Sequence, residues 1–97
     1  MLEKDIVAAI MRYLKTVPGC FAWKEHGGMY GTSGIPDIIC CYRGRFVGLE
    51  VKQPGKALTA IQPKTIDKIN AAGGIAAKVT CVDEVKTIIE TIRRASG

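Results

Sequence analysis

Residues 34–52, GIPDIICCYRGRFVGLEVK, constrain this chain more than any other stretch. Two runs rich in β-branched and aromatic residues, 38–42 and 46–51, flank Arg43-Gly44. Such residues suit a pleated, half-buried surface, and a glycine can supply the positive φ of a two-residue turn. The stretch therefore predicts a β-hairpin, and the turn sets its register. With Tyr42 facing Arg45, Asp37 stands directly opposite Glu50, and Lys52, two residues further on, projects to the same side. Opposed residues bring their Cβ atoms to roughly 4.5–5.5 Å. Two carboxylates that close repel each other unless one is protonated or a cation lies between them. A hard divalent cation with oxygen ligands, Mg²⁺ or Mn²⁺, is the natural occupant. The plainer reading is a solvated face whose lysine pairs with an acid, but the direct opposition of like charges argues against it.

The rest of the chain reads as helices and strands around this hairpin. Residues 2–16 predict an amphipathic helix with Leu2, Ile6, Ala9, Ile10, Tyr13 and Leu14 on one stripe, ended by Pro18-Gly19. Glu3 borders that stripe, and by spacing alone it reads as a first-turn acid complementing the helix dipole. Residues 21–25 alternate as a strand and run into a glycine-rich loop, HGGMYGTSG, at 26–34. That loop matches no Walker or dinucleotide pattern. A turn at 53–57 leads to a second helix over 59–72, marked by Ile61, Ile66 and Ile69. Thr59 and Gln62 have capping-box spacing, and Pro63 then falls late for a helical proline. Gly73-Gly74 ends this helix, 75–80 predicts a strand, and 82–94 predicts a last amphipathic helix with Thr80 and Asp83 as its capping pattern. The order is α-β-β-β-α-β-α. A hairpin joined to a crossover helix implies an α+β mixed sheet flanked by helices.

Length and composition bound the function. With 97 residues the chain predicts a single domain spanning 1–97. A net charge of +5 suits an anionic partner without specifying one. Cys20, Cys40, Cys41 and Cys81 show no zinc-ligand spacing and read as small buried hydrophobes in a reduced compartment. The charged N-terminal stretch does not read as a signal peptide. No stretch approaches the roughly 20 apolar residues of a membrane span. These features predict a cytoplasmic protein with no membrane association and no organic cofactor.

No serine, cysteine or histidine nucleophile arrangement is evident. Two acids and a lysine on a basic protein point to metal-dependent phosphodiester hydrolysis, the acids holding the ion and Lys52 stabilising the transition state. Lys24, His26, Tyr30, Lys56 and Lys64 flank the site in sequence and are candidate phosphate contacts, which position a phosphodiester strand rather than read its sequence. Arg43 and Arg45 lie at the far end of the hairpin.

The ordered set Gly34-Ile-Pro-Asp37, Gly44-Arg45, Glu50-Val-Lys52, Thr59-Ala-Ile-Gln62 and Gly73-Gly74, with Glu3 on the first helix, resembles the VRR-NUC group of the PD-(D/E)XK nuclease superfamily. The resemblance covers nearly the whole chain. It implies a restriction-endonuclease-like αβββαβ core with an added C-terminal helix. It implies that Glu3 and Gln62 line the active site beside Asp37, Glu50 and Lys52, and that the main-chain carbonyl of Val51 joins Asp37 and Glu50 as a metal ligand. It further implies a structure-selective endonuclease of branched DNA in a phage or bacterial host cell, resembling a Holliday-junction resolvase and acting as a homodimer. A flap or other DNA nuclease of the same fold, or a catalytically silent DNA-binding subunit, are the alternatives.

Overall fold

The structure is a computed structural model describing residues 1–25 and 34–96. Its elements run α1 (Glu3–Leu14), β1 (Cys20–Lys24), β2 (Ile38–Tyr42), β3 (Arg45–Val51), α2 (Gln62–Ala71), β4 (Ile75–Val79) and α3 (Val82–Ala95). The four strands form one sheet in the order β1-β2-β3-β4. β1–β2 and β2–β3 pair antiparallel, while β3–β4 pair parallel across the α2 crossover. This is the mixed α+β architecture expected from the pattern. Among the described residues no helix is long and apolar enough to cross a membrane.

The hairpin register is the one the turn demands. Tyr42 pairs with Arg45, and the ladder runs back to Ile38 opposite Leu49, one step short of Asp37 and Glu50. Both turn residues take positive φ, Arg43 at 52° and Gly44 at 80°. That is the type I′ geometry whose twist matches the flanking strands. Arginine carries the left-handed conformation here as well as glycine.

The sheet has two unlike faces. Ile38, Cys40, Tyr42, Val47, Leu49 and Val51 meet the apolar stripes of α1 and α3 and form the core with them. The opposite face carries α2, which lies on β4 and β3. Asn70 ties α2 to β4 by a two-way amide contact: its Nδ2 donates to the Ala76 carbonyl and its Oδ1 accepts the Ala76 N–H. None of the α2 side chains is fully buried.

Three sequence expectations change. The helix expected from residue 59 begins at Gln62, so Pro63 falls in its first turn, where a missing N–H costs nothing. At α3 the capping acid is Glu84 rather than Asp83. Glu84 Oε1 accepts both the N–H and the hydroxyl of Thr80, and these contacts hold its carboxyl below the usual range. Among the cysteines, Cys40 is buried as expected, with its thiol pushed up to about 12 by desolvation. Cys41 and Cys81 are exposed, because strand alternation and the helix start turn them outward.

One glycine matters for the position of Asp37. A Cβ on Gly48 would lie 2.9 Å from Pro36 Cγ, so Pro36 packs directly on the bare β3 backbone. Pro36 is fully buried there and delivers Asp37 to the end of β2. Gly48→Ala is expected to cost about 1–3 kcal/mol through overpacking. Because the displaced neighbour is Pro36, the substitution also moves Asp37. Urea unfolding measures the first effect. A nuclease assay measures the second, which should exceed what partial unfolding accounts for.

Candidate active site

The site lies where the ends of β1, β2 and β3 meet the start of α1. Asp37 Oδ2 accepts the Val51 N–H at 2.9 Å, which locks the acid against the last residue of β3. The Glu25 N–H donates to the Asp37 carbonyl at 2.8 Å, continuing the β1–β2 ladder by one step. Glu25, Asp37 and Glu50 therefore occupy one row across three strands, and Lys78 of β4 completes it opposite Glu50.

Glu50 is the only charged side chain in the protein interior among the described residues, at 2% exposure. Burial raises its carboxyl from 4.5 to about 8. The hydrogen bond and negative charge of Asp37 add to the rise, Glu3 adds a little, and the Lys52 ammonium opposes it. This is the predicted conflict between opposed carboxylates, and a carboxyl pushed up to about 8 favours the proton on Glu50 at neutral pH. It also puts Lys52 and Glu3 within electrostatic reach of the pair.

Glu3 arrives through tertiary contacts. Gln53, just beyond Lys52, donates from Nε2 to the Met1 carbonyl at 2.9 Å and ties the head of α1 to the end of β3. Glu3 then lines a pocket of about 220 Å³ with Lys4, Val7, Lys24, Glu25 and Asp37. Glu25 and Lys4 escaped the sequence reading. The β1–β2 register would have revealed Glu25, but a linker spanning residues 26–33 does not fix a register as a two-residue turn does.

The other candidates are placed differently. Gln62 Oε1 accepts the Thr59 N–H at 2.7 Å, so its side chain reaches back over the turn that leads into α2. At Val51 the N–H, not the carbonyl, meets Asp37. Lys24 lines the pocket. Lys64 instead borders a separate apolar groove with Ile35, Ile61 and Ile69. Lys56 contributes its carbonyl to the Lys78 ammonium. His26 and Tyr30 lie outside the described residues.

Among the described residues no three His, Cys, Asp or Glu side chains cluster closely enough to hold a metal by themselves. A site of two carboxylates still fits Mg²⁺, which binds through one or two carboxylates and keeps several waters. Buried Glu50 and half-buried Asp37 form a hard oxygen donor set that a cation would stabilise in its ionised form.

Of the comparisons with known proteins, the one with solved structures bears on the fold. No family model matches the sequence, and a search of curated proteins returns no match. Among solved structures, a chain described as a VRR_NUC domain superposes with a TM-score of 0.75 at 21% identity, covering 91% of this chain and 94% of its own. The chain has the VRR_NUC fold. A second structure, a VRR_NUC domain protein, superposes with a TM-score of 0.74 at 19% identity, over 93% of this chain and 86% of its own. In the VRR_NUC frame the acid pair stands at the strand ends, with α1 contributing Glu3 from beyond the hairpin.

Proposed function

We propose that residues 1–97 form one nuclease domain, a metal-dependent, structure-selective endonuclease that hydrolyses phosphodiester bonds in branched DNA. One observation supports this above the others. An otherwise apolar interior accommodates Glu50 against Asp37, an arrangement that a fold without a use for it would avoid. The VRR_NUC likeness supplies the nuclease reading of that pair.

In this reading Asp37, Glu50 and the Val51 carbonyl would hold Mg²⁺ or Mn²⁺. When bound, the ion supplies Lewis-acid stabilisation of phosphate charge and favours ionisation of a water. Lys52 stabilises negative charge developing on the phosphate. Glu3, at the pocket wall, orients the attacking water, and Gln62 reaches the phosphate from the start of α2. Lys24 and Lys56 hold flanking phosphates. A homodimer would present two such sites to a symmetric junction. Such an enzyme would meet its DNA in the cytoplasm.

Incubating the protein with four-way junction, flap and linear duplex DNA, with Mg²⁺, Mn²⁺ or EDTA, tests the proposal. Cleavage of branched substrates is expected with either metal and none in EDTA. Asp37→Ala should be inactive yet bind DNA. Failure to cut any substrate, or undiminished cutting in EDTA, would refute it. Light scattering tests the dimer.

A further inference from the structure

Among the described residues, α2 reaches only two of the four strands on its face of the sheet. α2 lies on β3 and β4, and β1 is an edge strand. Along β1, Cys20 and Ala22 turn toward the core, so the alternate residues Phe21 and Trp23 turn away from it. Both are exposed, Phe21 at 70% and Trp23 at 40%. Their ring centroids are 5.5 Å apart with the planes tilted by 41°. Exposed aromatics on an edge strand are an aggregation liability unless something uses them.

Their position says what they suit. Trp23 Nε1 donates to Glu25 Oε2 at 2.9 Å, which pins the indole beside a carboxylate of the candidate active-site pocket. Two residues of strand separate Trp23 from the Glu25–Asp37–Glu50 row, about 7 Å along β1. Stacked nucleotides repeat about every 3.4 Å along a strand, so the ring lies about two nucleotides from a phosphate at the acids. Lys24, between Trp23 and Glu25, lines the same pocket and offers the backbone a positive charge. Exposed rings beside a pocket in which Lys4 and Lys24 stand among Glu3, Glu25 and Asp37 bring together the two components that single-stranded nucleic acid uses, aromatic faces and positive charge. Bases inside a continuous duplex already stack on both faces and cannot use such rings.

We propose that Phe21 and Trp23 are a stacking platform for an unpaired base beside the cleaved phosphate, making DNA with a single-stranded segment at the cut the preferred substrate class. This rests on the nuclease reading for the word "cleaved"; the platform itself is testable without cleavage.

Trp23 is the only tryptophan in the chain, so its emission reports on this site alone. In EDTA, titration with oligothymidylate or with a duplex carrying splayed single-stranded ends is expected to quench that emission. A blunt duplex of the same length should leave it nearly unchanged. By anisotropy of a labelled oligothymidylate, Trp23→Ala and Phe21→Ala should each weaken binding about five- to hundredfold. Trp23→Phe should retain most of the affinity, since a ring is what is required. Affinity for blunt duplex should change little in any variant. An emission unmoved by single strands would overturn the proposal, as would equal losses on single strands and duplex. So would an emission that changes on diluting the protein without DNA, because the rings would then be covered by a second copy. Quenching by single strands in a protein that cuts nothing would uphold the platform and leave the nuclease reading to fail in its own assay.

Discussion

Glu50→Gln is expected to abolish cleavage and, in the absence of metal, to make the protein more stable at alkaline pH. The loss of activity follows if Glu50 holds the ion. Removing a ligand carboxylate forfeits several kcal/mol of transition-state stabilisation, about a thousandfold or more in rate. The gain in stability follows from burial. The Glu50 carboxyl ionises near 4.5 when unfolded and at about 8 when folded. Below about 4.5 it is protonated in both states, and its favourable contribution is fully present. Between about 4.5 and about 8 unfolding releases its proton, so stability falls as pH rises, by at most about 1.4 kcal/mol per pH unit. Above about 8 the contribution is gone. Glutamine mimics the protonated form at every pH, so the variant should overtake the wild type progressively across that window. Urea unfolding in EDTA at several pH values measures the difference. A constant difference across the window would show that Glu50 is ionised in the folded protein. Mg²⁺ should stabilise the wild type more as pH rises, because the ion competes with the proton, and should leave Glu50→Gln nearly unaffected.

Lys52→Ala is expected to lower the rate by about a hundred- to thousandfold without weakening metal binding. The ammonium sits near Glu50, as its opposing effect on that carboxyl shows, but an ammonium cannot ligate a cation. In the proposed mechanism it stabilises charge on the phosphate, an effect of that size for a single preorganised donor. Calorimetric titration with Mn²⁺ and single-turnover cleavage separate the two properties. Truncation should tighten metal binding slightly, since a neighbouring positive charge is removed. A variant that loses Mn²⁺ affinity together with activity would mean that Lys52 organises the acids instead.

These two variants probe opposite sides of one conflict. The Asp37–Glu50 pair is unfavourable when both acids are ionised, and the raised Glu50 carboxyl and the Val51 N–H on Asp37 relieve it. The surrounding sequence is arranged to tolerate this. Gly48 leaves room for Pro36, and Pro36 sets the path into Asp37. Gln53 ties down the head of α1. These contacts stand apart from the main apolar core, which forms on the other face of the sheet.

How much of this was legible in the chain depends on sequence separation. The hairpin was, because a two-residue turn with Gly44 admits few geometries and the strands follow from it. The stripes of α1 and α3 were legible too, since helical periodicity is local. Capping-box spacing at Thr59 and Gln62 predicts a start one turn before the true one at Gln62. In the fold Gln62 reaches back to Thr59 from the helix's own start, and Pro63 is accommodated there. The cap of α3 was assigned to Asp83 because spacing alone does not separate it from Glu84, whose longer side chain reaches Thr80.

The sequence by itself determined that Asp37 and Glu50 face each other with Lys52 alongside, because strand alternation and a short turn propagate register residue by residue. Only the tertiary structure decided that Glu50 is buried, that Glu3 and Glu25 join Asp37 at one pocket, and that Phe21 and Trp23 are left uncovered beside it. Those facts depend on where α1, α2 and β1 dock. Docking is set by packing between segments far apart in the chain, and no local periodicity carries that information.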